Sequence, residues 1–369
     1  MKGIYIAKID ENYSLDIGVG KKINGEIKAL KNLGITMDYL RLKDREMYFN
    51  NNRIKKVIKF FSYGYYYRFL KKIDLDYDFA YIRYSKGNIN LYRLIKRLSK
   101  KDIKIIIEIP TYPYSNEFTG ELKEDIFGFL DNIITKKLKK YVFRLAVTNN
   151  NYDLIYGIKT IKINNGIDIE NFNMSNKVEK NSDTLNLIGI ANIAKWHGYD
   201  RVIKGISDYY KSKYKSDYKI NFYVVGEGNE KENLINLSRK LNVESYVKFL
   251  GAKNGKELDE IFLNMDIGVS SLALFRAGGG HDPIKSKEFL ARGIPVLLAY
   301  NDRLIDMKLP FVFSFDENET NINMNVLIEK YKNIEKINKE EIREYAKNNL
   351  SWETQMKKVV EELQDKGEN

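Results

Sequence analysis

At 369 residues with 43% hydrophobic content, the chain exceeds what one ordinary core holds and fits two domains of comparable size. It has no cysteine, which excludes disulfides, thiolate metal sites and thiol nucleophiles and fits a reducing compartment. The formal charge of +12 calls for an anionic partner: phosphorylated small molecules, an acidic membrane surface or nucleic acid.

The elements alternate from the start. Residues 3 to 8 read as a buried strand, followed by a glycine-containing loop over 16–22 and a helix with Ile23, Ile27, Leu30 and Leu33 on one face, ended by Gly34. The opening apolar run stops at Asp10, too short for a signal peptide's hydrophobic region or a membrane span, so a cytoplasmic location is expected. After a strand at 35–40 comes the densest basic stretch, 53–72, where Lys55, Lys56, Lys59, Arg68, Lys71 and Lys72 interleave with Phe60, Phe61, Tyr65, Tyr66 and Tyr67. Such a segment suits an anionic headgroup layer at the inner membrane face, and equally suits a solvated helix pair with its rings packed on the domain. No RNA-binding signature or zinc-finger spacing accompanies the charge, so nucleic acid is not expected. Asp74-Leu75-Asp76 has the form of a metal-binding DxD motif, but it precedes the next strand and reads as a surface turn.

Strands at 79–84, 103–109 and 143–148, with helices near 89–98 and within 122–139, complete the first half. A polar stretch to Thr184 reads as a linker region. The alternation then restarts: strands at 185–191, 220–225, 246–250, 266–271 and 295–299 are separated by helical patterns, one with Val202, Ile203 and Ile206 on a side, another from 284 to 292. Strand followed by helix, twice over, predicts two parallel sheets covered on both faces, with ligands at the carboxyl ends of the strands. The expected fold class is α/β.

Gly278-Gly279-Gly280 directly before a helix lets backbone amides approach an anion where the helix dipole is positive. Lys285, in the first turn, is placed to meet the same phosphate, and Glu288 lies one turn later on the same face. A flexible turn is the plain alternative for the glycines alone. The two histidines of the chain, His197 and His281, both fall in loops. On the first half, Gly18, Gly20 and Lys21 (or Lys22) are candidates for close approach to a phosphate, or form a simple polar turn. Arg83 and Glu108 sit near strand ends in apolar runs, where ionisable groups pair with each other or bind something. Tyr112 and Tyr114, beside prolines, suit stacking on a sugar ring or an ordinary aromatic loop, and Trp196 reads as a packing residue.

Gly189 to Ile203 (GIANIAKWHGYDRVI), Val224 to Asn229 (VVGEGN), Phe249 to Gly251 (FLG) and Pro283 to Val296 (PIKSKEFLARGIPV), in this order, resemble the C-terminal domain of family 4 glycosyltransferases. The likeness extends to Gly18–Lys22, Tyr81–Tyr84, Glu108–Tyr114 and Asn165–Asp168. The resemblance implies a GT-B fold of two Rossmann-like doubly wound domains facing a central cleft. Residues 1–165 would bind acceptor, 166–350 would bind nucleotide sugar, and a helix in 351–369 would cross back to the first domain. It also implies retention of anomeric configuration, no metal or other cofactor, a UDP-sugar donor ahead of a GDP-sugar, and a saccharide or lipid-linked acceptor in surface polysaccharide or glycoconjugate synthesis.

Glu288 matches the second glutamate of the family's paired-glutamate motif, whose first falls at Gly280 here. Lys195 and Lys285, with His281, are the expected catalytic groups. His197, Gly226, Gly251, Gly278, Gly279, Gly280 and Glu288 are expected at the donor, and Gly18, Gly20, Lys21, Arg83, Glu108, Tyr112 and Tyr114 at the acceptor. The family's first-domain catalytic histidine has no counterpart. A non-catalytic partner subunit and a nucleotide-sugar epimerase on the same fold are the alternative expectations.

Overall fold

The computed structural model describes residues 1–9, 16–42, 76–84, 89–110, 112, 135–148, 152–174, 183–278, 283–334 and 337–365. The chain divides into two compact units, Met1–Gly166 with Trp352–Asn369, and Ile167–Ser351.

In the first unit, β1 (Lys2–Lys8), β2 (Thr36–Leu42), β3 (Phe79–Arg83), β4 (Lys104–Ile109), β5 (Arg144–Thr148), β6 (Leu154–Ile155) and β7 (Ile158–Ile163) form one sheet in the order β2-β1-β3-β4-β5-β7-β6. All pairings are parallel except β6 with β7. Strands such as KIIIEI are apolar on both faces because both faces are covered. On one side Ile4, Ile6, Ala80, Ile82, Ile105 and Ile107 meet α2 (Ile89–Ser99). Burial of Leu91, Leu94, Ile95 and Leu98 of that helix contributes about 1.5–3 kcal/mol each before entropy is counted. On the other side Tyr5, Phe79, Tyr81 and Ile106 meet Ile23, Ile27 and Leu30 of α1 (Asp16–Asn32) and Trp352, Met356 and Val359 of the C-terminal helix Trp352–Gln364.

The second unit is a parallel sheet of β8 (Thr184–Ile190), β9 (Lys219–Val225), β10 (Val247–Gly251), β11 (Ile267–Val269), β12 (Val296–Leu298) and β13 (Val312–Ser314), ordered β10-β9-β8-β11-β12-β13. Its helices are α3 (Tyr199–Lys211), α4 (Lys231–Lys240), α5 (Gly255–Phe262), α6 (Ile284–Ala291), α7 (Met324–Lys332) and α8 (Lys339–Leu350). Tyr199, Val202, Ile203 and Ile206 place one stripe of α3 in the core, and Phe289 and Leu290 do the same for α6.

Three sequence expectations need correction. Residues 16–22 are the opening turns of α1 rather than a loop, so Gly18 and Gly20 are helical. A side chain at Gly18 would meet nothing within 4 Å among the described residues, which removes the close-approach argument there. The polar stretch after Asp168 does not mark the boundary between the units: the first unit ends at Gly166, Ile169 is buried in the second unit's core, and Ile167 donates its backbone N–H to the Leu350 carbonyl. The aromatic basic segment 53–72, Tyr114, Gly279, Gly280 and His281 lie outside the described residues. Among the described residues no helix is long and apolar enough to cross a membrane.

Candidate functional site

In a doubly wound sheet the strand order reverses at one point, and the loops leaving the two strands there diverge to leave a crevice outside their carboxyl ends. In the second unit that point lies between β8 and β11. The loop after β8 carries Lys195-Trp196-His197 in a single 3-10 turn, and the connection after β11 runs through Leu274–Ala277 towards α6.

Backbone packing fixes these loops. Gly226 has φ 124°, and a β-carbon there would stand 1.8 Å from the Ala191 carbonyl oxygen, so only glycine lets the β9 loop lie against the β8 loop. The Gly226 amide donates to the Gly251 carbonyl at 2.7 Å, and the Ile193 amide to the Glu227 carbonyl at 2.6 Å. Gly226 and Gly251, expected at the donor, hold the loops at the carboxyl ends of β9 and β10 against each other. Leu272 donates its amide to the His197 carbonyl at 3.0 Å, tying the 3-10 turn to the β11 side. The buried Arg201 guanidinium spans Thr320, Leu272 and Asp316 carbonyls, closing the same region from below.

The pair brought together at this point is His197 and Lys285. His197 is 5% exposed, and its Nε2 lies 2.7 Å from the Lys285 Nζ. Its Nδ1 sits 3.0 Å from the Ala194 amide nitrogen and 3.2 Å from the Ala194 carbonyl oxygen. Nδ1 lies within reach of both the Ala194 N–H, which would donate to it, and the Ala194 carbonyl, which would accept from it; the Lys285 ammonium facing Nε2 selects the tautomer with its one N–H on Nδ1, leaving Nε2 to accept from the ammonium. Burial, then the neighbouring Lys285 charge, push the His197 pKa down to about 4. Burial pushes Lys285 down to about 8, with Glu288 opposing. An ammonium in the first turn of a helix stands at the positive end of the dipole, facing a neutral ring. The arrangement is short of negative charge and is suited to receive an anion.

Around the pair, Lys195 is exposed and its carbonyl accepts from Arg276 Nη1 at 3.0 Å. Arg276 is itself forked onto Asp200 at 2.8 and 3.2 Å and bound to Glu319, so its charge is spent on holding the turn. Burial raises the Asp200 carboxyl, but hydrogen bonds and charge from Arg276 and Lys204 hold it below the usual range. Ser286 Oγ bonds the Pro283 carbonyl at 3.0 Å and Asp302 at 3.1 Å, fixing the start of α6 and hence Lys285. Gly278 ends the 3-10 turn in the left-handed conformation, φ 81°. Glu288 is half-buried one turn beyond Lys285. Trp196 is 41% exposed, against the expectation of a packing residue.

On the first unit the structure joins Arg83 to Glu108 at 2.7 Å. It adds Lys22, whose Nζ lies 2.7 Å from the same carboxylate, whereas Lys21 points to solvent. Tyr112 makes edge contacts with Tyr152 and Tyr156 at 5.7 and 6.2 Å between ring centroids. Sequence reasoning missed Arg276, Ser286, Asp302, Tyr5 and Glu26. Only Glu26 left a signal, its i,i+4 spacing from Lys22.

Residues 170–349 match the family described as glycosyl transferases group 1. Among curated proteins no sequence matches. Of the solved structures, a glycosyltransferase from Rickettsia africae ESF-5 is 14% identical with a TM-score of 0.61, covering 99% of both chains. The lipopolysaccharide outer core galactosyltransferase WaaB in its apo form is 12% identical with a TM-score of 0.61, over 98% of this chain and 99% of that one. HepE of Anabaena, solved in complex with UDP, is 12% identical with a TM-score of 0.59 over the same shares. At these identities the structural likeness establishes the fold, and the family match supplies the rest: the second unit is a group 1 glycosyltransferase domain, in a chain that has the GT-B fold.

Proposed function

We propose that the chain is a retaining, metal-independent transferase that moves a hexose from a nucleotide-diphosphate sugar, a UDP-sugar by preference, to a saccharide or lipid-linked acceptor of surface polysaccharide or glycoconjugate synthesis. The observation that carries this reading is the Lys285 ammonium, 2.7 Å from a neutral His197, at the start of α6 and at the point where the strand order reverses. Breaking the bond between anomeric carbon and phosphate builds negative charge on the diphosphate as the sugar gains oxocarbenium character. Fixed donors at the diphosphate therefore stabilise the transition state more than the ground state. Lys285 supplies the charge, His197 orients it, and Lys195, held through its carbonyl by Arg276, stands in the adjoining turn. Glu288 is assigned the ribose hydroxyls. A UDP complex of HepE supports the choice of nucleotide by likeness of fold.

Incubation with a panel of UDP- and GDP-sugars and candidate acceptors, in chelator, tests the reading. Release of UDP coupled to an α-linked product from an α-linked donor is expected, with losses in Lys285→Ala and Glu288→Ala. Unchanged turnover in both variants overturns the site. Donor conversion without nucleoside diphosphate release makes the chain an epimerase instead.

A further inference from the structure

The first unit has its own reversal of strand order, between β1 and β3, and a buried ionisable cluster sits beside it. Tyr5 comes from β1, Arg83 and Tyr81 from β3, Glu108 from β4, Thr148 from the end of β5, and Lys22 and Glu26 from α1. Tyr5, Glu26 and Glu108 are wholly buried, while the Lys22 and Arg83 side chains keep 13% and 14% exposure, so only the two cations reach solvent.

Proton accounting shows the cluster's charge. The Tyr5 hydroxyl lies 2.6 Å from Glu26 Oε2 and 3.1 Å from Glu108 Oε2. One hydroxyl proton serves one carboxylate well at a time, so a proton on one carboxyl, donated to Tyr5, frees Tyr5 to donate to the other. Glu108 faces both cations, Lys22 and Arg83 at 2.7 Å each, and is the ionised member. Glu26, 3.6 Å from Lys22 and with its Oε1 lacking a hydrogen-bond partner, holds the proton. One carboxylate then stands against two cations, and Arg83 Nε and Nη2 have no partner among the described residues. An excess positive charge is left at the exposed edge.

We propose that Lys22 and Arg83 form an anion site at the carboxyl edge of the first unit's sheet, taking a phosphate-type group of the acceptor, and that Glu26 tunes it by gaining or losing one proton. The acceptor class rests on the transferase reading; the anion site does not. Burial, then the Glu108 charge, bring the Glu26 pKa up to about 7, with Lys22, Tyr5 and Arg83 opposing. Below that pH the excess charge is present. Above it, the ionised Glu26 claims Lys22 and the site weakens.

Sulfate is the probe, because it mimics phosphate with a charge that does not change between pH 6 and 8. The full chain is saturated with UDP, and sulfate is titrated at constant ionic strength while the melting temperature is followed. Affinity is expected to fall at least about threefold from pH 6 to pH 8, since a unit charge is added within a few ångströms of Lys22. Glu26→Gln should bind equally at both pH values, Arg83→Gln should lose the sulfate effect, and Lys285→Ala should keep it. Retention of sulfate binding in a folded Arg83→Gln variant overturns the proposal, as does its loss in Lys285→Ala, which would leave only the donor's anion site. Should Arg83→Gln fail to fold, the Glu26→Gln titration decides, and an undiminished pH dependence there overturns the proposal. Loss of UDP binding in Lys285→Ala with sulfate binding intact separates the two readings.

Discussion

Both units place lysines at the reversal point of a parallel sheet, yet they treat the charge in opposite ways. In the first, Lys22 is held by Glu108, with burial lowering its pKa but Glu108 and Glu26 raising it further, so it stays protonated. In the second, Lys285 meets a neutral imidazole and is pushed down to about 8 by burial. A cation with its counter-ion built in is stable without ligand and offers only residual charge. A cation with no ion pair among the described residues and only the Glu288 charge acting on it is costly until an anion arrives, and that cost is returned as binding. The difference accords with the proposed donor site in the second unit, the part of the chain that matches the group 1 glycosyltransferases.

The comparison breaks most easily at Lys285. Lys285→Ala should lower kcat/KM for donor by about 10²–10³-fold, the usual loss when a preorganised donor to a developing oxyanion is removed. Melting should be little changed, since the free site is not stabilised by that charge. The mirror experiment is Glu108→Gln. It leaves Lys22 and Arg83 buried without their carboxylate, a change worth about 3 kcal/mol where nothing compensates, read by urea unfolding. Glu26 should then ionise in its place, and a loss well below that figure would show it doing so.

Glu26→Gln is a gentler test of the first unit. The folded pKa, about 7, lies above the ordinary 4.5, so the folded state holds its proton where the unfolded state has released one. The stability this gives is full below pH 4.5 and is lost as pH rises through 7. The variant should match the parent at pH 4 and exceed it at pH 8 by on the order of 3 kcal/mol, measured by urea unfolding at both.

Much of the architecture was legible because it depends on pattern. Apolar runs such as IKIIIEI and the Val202, Ile203, Ile206 stripe must be buried in any fold, and alternation of the two periods implies parallel sheets. Residues 16–22 were misread because two glycines in seven residues look like a loop, whereas Lys22, Ile23 and Glu26 show the helix already under way. The β13 strand is only three residues long, and α7 and α8 start after asparagine caps in polar stretches, so none presents a long apolar run. At the site, Lys285 and Glu288 were legible through helical spacing beside a glycine run. The partner of Lys285 was not, because His197 lies 88 positions away and only topology brings it to 2.7 Å. Asp200, Arg276 and Asp302 were hidden for the same reason: long-range ion pairs and hydrogen bonds leave no local periodicity.

The finest test of the contrast between the two lysines is the pH dependence of nucleotide binding. His197, with its pKa near 4, stays neutral throughout the neutral and alkaline range, so Lys285 is the member of the pair that titrates there. Free Lys285 is protonated below about pH 8, and a bound diphosphate favours the ammonium and raises its pKa. Binding above pH 8 must therefore take up a proton. UDP affinity should be flat up to about 8 and then fall, approaching tenfold per pH unit until the pKa of the complex is reached. Calorimetric titrations at pH 7, 8 and 9 in buffers of different ionisation enthalpy would show both the loss of affinity and the proton uptake. Lys285→Arg keeps a charge that does not titrate in this range, so its affinity should be level across the three pH values. A parent profile as level as the Arg variant's would mean that Lys285 does not touch the diphosphate, and the anion-poor character of its surroundings would then need another use.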